Sequence, residues 1–232
     1  MTLRPAVAAD LPDIAELYLR VRTAVVPAMP PQIHTAEEVH AYVGGWQLDQ
    51  RDVWVAELRG TAVAFMVVDP GWLESLYVLP EAAGQGIGSA LLDVAKRLRT
   101  EGFCLWVFES NRPARNFYTH RGLLELERTD GSGNEERAPD IKMAWPGRDP
   151  LTFLRRLVDD VDDRLGDLLA ERVALTTAVQ RVKATSGIGT DRDPEREHEI
   201  ARRLAERAPA LGEDRLARIA HAIITESLDA GS

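Results

Sequence analysis

Residues 154–182 step in threes and fours between apolar side chains, and Arg172 interrupts that row between Leu168 and Leu175. A cation in such a row is costly without an anionic partner. Lys183 lies three helical turns further on, on the same face, while Arg155 is rotated by about 100° from it. In the next helical segment Asp193, Arg196 and Glu197 occupy i, i+3 and i+4 and share a face. Converging cations beside two carboxylates suit a small dianion that carries hydroxyl groups. Against this, Asp193 before Pro194 also fits an N-cap, and Arg196 with Glu199 or Glu195 fits a surface ion pair. A second arrangement is Ala83-Gly-Gln-Gly-Ile-Gly88, set between a strand and a helix. There the unpaired N–H groups of the first helical turn and the helix dipole can hold a pyrophosphate.

These residues need elements to position them. The 232 residues exceed roughly 150 per domain, which leaves room for two small domains. Thirteen of the 14 aromatics precede residue 148, so Phe153 is the only one in the rest of the chain. Residues 1–147 alternate helical and strand periods, the pattern of an α+β domain on one mixed sheet. Helices are expected from Asp10 through Val21, after the capping box Thr35-Ala-Glu-Glu38, over 88–99 and over 113–120. Strands are expected over 53–58 and 61–68 as a hairpin around Arg59-Gly60, then over 72–78, 103–108, 123–128 and 141–145. Residues 148–232 read as a separate all-helical domain. One helix of roughly 50 Å covers 151 to about 185, Gly187 and Gly189 break it, a second helix starts at Asp193-Pro194, and a third follows Gly212 and ends near Ser227-Leu228. The long helix carries apolar residues at 151, 154, 158, 161, 165, 168, 175, 179 and 182, a stripe too long for two short helices to cover. A second copy of the chain is the expected cover.

Composition narrows the partners. The formal net charge is −9, with 28 Lys+Arg against 37 Asp+Glu, so a nucleic-acid backbone is excluded as an expected partner. The one cysteine, Cys104, rules out a disulfide framework and fits a reducing cytoplasm. The start Met1-Thr-Leu-Arg-Pro has no apolar core of signal-peptide length, and the apolar run at 63–68 is far short of a membrane span. The five histidines have no ligand spacing, so no metal site is expected.

Taken with Leu76-Tyr-Val-Leu-Pro80 before the glycine loop, Asn111-Arg-Pro-Ala-Arg-Asn-Phe-Tyr118 and Gly122-Leu123 after it, and an opening Leu3-Arg4-Pro5-Ala6, residues 1–146 resemble the GNAT acetyltransferase superfamily. The resemblance implies acetyl-CoA as co-substrate, held along Leu76 and Val78 and by the loop residues Gly84, Gln85, Gly86, Ile87, Gly88 and Ser89. It implies that Asn111 touches the pantetheine arm and that Tyr118 protonates the leaving thiolate. The family has Arg or Gln where this chain has Ala83, so one phosphate contact is missing. Many members also carry a base where this chain has Trp72. Glu74, two residues on, is the substitute candidate, weighed against an ordinary solvent-facing glutamate.

The charged positions of the C-terminal part, from Leu154-Arg155 through Asp162, Leu169-Ala-Glu-Arg172, Val182-Lys183, Arg192-Asp193-Pro-Glu-Arg196-Glu197 and Ile223-Ile-Thr-Glu-Ser227, resemble the all-helical chorismate mutases, which form intertwined dimers. That family converts chorismate to prephenate by a Claisen rearrangement that needs no cofactor, so catalysis rests on positioning and charge stabilisation. The resemblance implies that Arg172 and the second protomer's Arg155 clamp the carboxylates and that Lys183 binds the ether oxygen. Asp193 and Glu197 orient the ring hydroxyl, Arg196 balances them, and Ser227 holds the ring carboxylate. Gly231 stands where the family has Gln or Glu, a lost donor worth about 3 kcal/mol, or about a hundredfold in rate. Three alternatives stay open: isochorismate as the substrate of a pyruvate lyase, 4-amino-4-deoxychorismate as the substrate of a mutase, and a chain in which one half is not catalytic. The non-catalytic half would be the helical part as a dimerisation scaffold or the GNAT part as an acetyl-CoA-binding regulator.

Overall fold

The computed structural model describes residues 1–187 and 193–230, in two compact units, Met1–Arg155 and Arg156–Ser232. Gly189, Arg192 and Gly231, singled out above, lie outside the described residues.

The first unit is built on seven strands: β1 (Thr2–Pro5), β2 (Asp52–Leu58), β3 (Thr61–Asp69), β4 (Trp72–Val78), β5 (Phe103–Phe108), β6 (Leu124–Arg128) and β7 (Asp140–Trp145). They form one sheet in the order β1-β2-β3-β4-β5-β7-β6. Four helices accompany it: α1 (Leu11–Ala24), α2 (Ala36–Gly44), α3 (Ile87–Leu98) and α4 (Arg112–Thr119). The local chemistry behind these elements is direct. Arg59 (φ 54°) and Gly60 (φ 80°) are both left-handed, as a two-residue hairpin turn requires, and join β2 to β3. Thr35 and Glu38 close the capping box of α2, with Glu38 N donating to Thr35 Oγ1 at 3.2 Å and Thr35 N to Glu38 Oε2 at 2.8 Å. The central strand β3 is buried from Val63 to Val68, and Phe65, Met66, Ile14, Leu91, Leu92 and Phe103 are among the largest fully enclosed side chains of this core.

One strand has no counterpart in the sequence reading. β1 is four residues long and ends in a proline, so periodicity cannot detect it. It forms because Leu3 pairs with Ala56 at the sheet edge, where Pro5 is tolerated. Arg4 then ties it down by donating to Asp10 at 2.7 Å and Glu57 at 2.6 Å. Strand 72–78 is accordingly the fourth strand of the sheet, not the third.

The second unit holds most of α5 (Pro150–Thr185), together with α6 (Pro194–Arg207) and α7 (Glu213–Asp229). The α6 and α7 helices pack on each other and bury Ala201, Leu216, Ala220, Ile224 and Ser227. The one residue buried on α5 is Phe153, which belongs to the first unit, where its ring closes over Gly102. The apolar stripe of α5 is open, with Val158, Leu168, Leu175 and Val182 between 58% and 62% exposed.

Candidate functional site

In the first unit, β4 and β5 run parallel but pair only at Trp72 with Cys104, beside a bond from Cys104 N to Gly71 O of 2.8 Å. Beyond that point the strands part, which leaves the half of β4 carrying Leu76 and Val78 without a ladder to β5. The chain then passes Pro80 and Ala83 into the glycine loop. Gly84 (φ 76°) and Gly86 (φ 81°) are left-handed, and a Cβ on either would meet nothing within 4 Å. The loop is thus both conformationally dependent on glycine and open in front. The first helical bond of α3 runs from Ala90 N to Gly86 O at 3.0 Å, so the amides of Ile87, Gly88 and Ser89 have no helical acceptor. At Gly88 a Cβ would lie 3.5 Å from the Phe117 ring and 3.7 Å from Leu76 Cδ2, which shows how closely β4, the loop and α4 converge. Gln85 turns away and donates to Glu81 O at 3.2 Å. The cradle fits an anionic pyrophosphate.

Asn111 caps α4, its side-chain oxygen accepting from Ala114 N at 3.2 Å. Tyr118 is buried, with its ring 5.1 Å from that of Phe117, and burial pushes its hydroxyl above the ordinary tyrosine pKa. It therefore keeps its proton at neutral pH. Glu74 is exposed, as the solvent-facing reading has it. Val67 pairs with Ser75 and Val68 with Leu73, so Glu74 is the extra residue of a β-bulge, and strand alternation with Trp72 does not place it. Its carboxylate lies 3.6 Å from Arg51, and partial desolvation together with Asp69 raises its pKa.

Two features of this unit were not legible in the sequence. Arg121 donates to Ser89 Oγ and stacks on Phe117, its guanidinium carbon 4.1 Å from the ring centroid. On the other side, α1 and the segment that follows it are joined to the β6–β7 connection by Arg22–Glu136 at 2.9 Å and His34–Glu135 at 2.8 Å respectively. Arg22 is 3% exposed and lies over the Phe108 ring. These partners are more than 100 residues apart in sequence, and only folding brings them together.

In the second unit, Arg172 is half-buried and donates to Ile223 O of α7 at 3.3 Å. It stands at the border of the apolar row and turns toward α7, whereas Leu168 and Leu175 point outward. Ser227 is buried and donates to the same carbonyl at 2.5 Å, so Arg172 and Ser227 meet at Ile223. Lys183 is half-buried and Arg155 exposed. Asp193 is the N-cap of α6, accepting from Arg196 N at 3.0 Å, and the Arg196 side chain pairs with Glu199. Glu197 lies 3.5 Å from His221 of α7. Both bland readings of Asp193 and Arg196 thus hold within one chain. Among the described residues no cluster of three His, Cys, Asp or Glu could hold a metal ion, and no helix is long and apolar enough to cross a membrane.

Comparison with known proteins agrees with this division. A model of the acetyltransferase (GNAT) domain matches residues 49–122, and one of chorismate mutase type II matches residues 154–230. An uncharacterized N-acetyltransferase of Archaeoglobus fulgidus is 32% identical over 152 residues, covering 58% of this chain and 100% of the relative. The peptidyl-lysine N-acetyltransferase YiaC of Escherichia coli is 29% identical over 145 residues, covering 62% of this chain and 96% of its own. Apo-form YjaB from Escherichia coli superposes with a TM-score of 0.51 at 21% identity, over 63% of this chain and 97% of that one. Ard1 from Thermoplasma volcanium gives 0.51 at 18%, over 64% and 98%. These two structures carry the fold alone. With the whole archaeal relative matched at 32% identity, the chain belongs to the GNAT N-acetyltransferases, and behind that domain it carries a type II chorismate mutase domain.

Proposed function

We propose that the protein is a bifunctional enzyme that rearranges chorismate to prephenate in its helical domain and transfers acetyl from acetyl-CoA to an amine in its N-terminal domain. We place the boundary between them at residues 147 and 148. The observation that carries the mutase half is Arg172, a half-buried cation beside the buried Ser227, in a helix whose apolar stripe its own chain leaves open. The stripe is best covered by α5 of a second copy. Arg155 of that copy would then complete the carboxylate clamp around Arg172, Lys183 and Ser227. Asp193 and Glu197, at the start of α6, would accept from the ring hydroxyl. No nucleophile is required. The site works by holding the folded conformer and by placing Lys183 on the ether oxygen, where negative charge grows as the C–O bond breaks and the new C–C bond forms.

In the N-terminal domain, acetyl-CoA supplies an acetyl group activated as a thioester. The amides of 84–89 would hold its pyrophosphate, and the free edge of β4 at Leu76 and Val78 would hold the arm that leads to the thioester. Asn111, in the turn after β5, would meet that arm while capping α4. Tyr118, kept protonated by burial, would donate to the departing sulfur as the amine nitrogen bonds to the carbonyl carbon. The acceptor would enter where the 25–35 segment meets the β6–β7 connection.

A proton NMR time course with purified protein tests the mutase assignment and identifies substrate and product together. Prephenate formed from chorismate is the expected result. Turnover of isochorismate to salicylate and pyruvate, or of the 4-amino analogue alone, would replace it.

A further inference from the structure

Ala83 leaves the glycine loop without the side chain that a phosphate would be expected to meet, yet a cation stands beside the same loop. Arg121 follows α4 and reaches back to Ser89, in the first turn of α3, where it donates to the hydroxyl. Its guanidinium is flattened on Phe117, and that ring in turn lies against Gly88. The side chain is therefore held by stacking and by two neutral acceptors, Ser89 Oγ and Phe117 O at 3.5 Å, in a place fixed relative to the cradle. Among the described residues no carboxylate pairs with it, in a chain with 37 acidic residues. The nearby Lys96 donates to Arg121 O at 2.7 Å. Burial depresses the lysine's pKa, Asp93 opposes it, and the Arg121 charge adds a smaller lowering. A cation held without a matching carboxylate beside a row of free amides forms a site short of an anion.

We infer that Arg121 is the phosphate-gripping cation of this cofactor site, replacing from the end of α4 the side-chain contact that Ala83 cannot make, with the pyrophosphate of a coenzyme A thioester as its ligand. The inference rests on the acetyl-CoA reading above and adds to it a residue outside the loop. In the free protein Ser89 Oγ and Phe117 O each accept from one arm of the fork and hold it ready. When the pyrophosphate sits on the amides of the first turn, the remaining N–H groups face its oxygens. The guanidinium suits this because its plane both stacks on Phe117 and presents parallel donors, which an ammonium group does not.

The test is calorimetric titration of the full chain, wild type and Arg121→Met, with coenzyme A and with dephospho-coenzyme A, at low and high salt. Methionine keeps an unbranched stem on Phe117 and removes the charge. If it unfolds the protein by circular dichroism, Arg121→Gln, which keeps a donor for Ser89, takes its place. The expected result is affinity weaker by roughly tenfold for both ligands at low salt, and a shallower salt dependence than wild type. Unchanged affinity would overturn the inference, as would an equal loss at both salt concentrations, which marks a packing role. A loss confined to coenzyme A would also overturn it, because it would put Arg121 on the 3′-phosphate. Wild-type protein that binds neither ligand would overturn the cofactor reading itself, an outcome distinct from an Arg121 that does not matter.

Discussion

The shared mutase site makes a quantitative prediction about mixed dimers. An α-helix rises about 1.5 Å per residue, so the 17 positions from Arg155 to Arg172 on α5 take up about 25 Å, far more than one chorismate spans. If both arginines act on one substrate, they come from two chains. Arg155 is exposed, so Arg155→Ala removes no buried contact, and Arg172→Ala removes one hydrogen bond of 3.3 Å to Ile223 O, worth about 1 kcal/mol. Both variants should fold. Each alone should run at about a hundredth of wild-type rate or less, since each lacks one charged contact to the substrate. Equal amounts unfolded and refolded together would give about half mixed dimers. Each mixed dimer would hold one site with both arginines and one with neither, so about a quarter of the wild-type activity should return. The assay is the loss of chorismate absorbance at constant total protein, with sedimentation velocity to confirm dimers. No recovery from a sample shown to contain dimers would refute the composite site. Monomers at micromolar concentration would refute the covering of the α5 stripe by a second copy.

Other outcomes follow from particular residues. Gly86→Asp puts an anion at a left-handed position in the mouth of the cradle and should weaken acetyl-CoA binding at least tenfold by calorimetry, although nothing obstructs its Cβ. Gly102→Ala should cost roughly 3 kcal/mol in urea unfolding, because at φ +105° its Cβ would meet Phe153 Cδ2 at 2.5 Å and Trp145 O at 2.7 Å. His34 should titrate above an ordinary histidine in NMR, because Glu135 accepts from its ring at 2.8 Å, and Glu135→Gln should bring it back down. Its folded pKa is raised, so the pair's contribution to stability is full below the unfolded pKa and is lost as pH rises through the folded value. A His34 titration unaffected by Glu135→Gln would sink that assignment.

Local signals in the sequence were enough to fix the elements that carry the sites. Turn chemistry at Arg59-Gly60, the Thr35–Glu38 box, the glycine loop and the threefold-fourfold stripe of α5 each act within a few residues, so their geometry follows from the order of side chains alone. Periodicity could not find β1, whose four residues become a strand only when β2 offers an edge, nor the bulge at Glu74, which depends on the register against β3. The same limit applies to the sites. Glycines 84 and 86 announced a cradle for phosphate, but the Arg121 beside it reaches Ser89 across 32 positions, and the Arg22–Glu136 pair spans 114. Arg172 was conspicuous as a charge among apolar neighbours, while the carbonyl it meets was settled by how α5 and α7 pack. A side chain's type and its near neighbours are written in the chain. Its distant partners are selected by the fold, because burying apolar area decides which surfaces meet and polar groups must find their bonds within that arrangement.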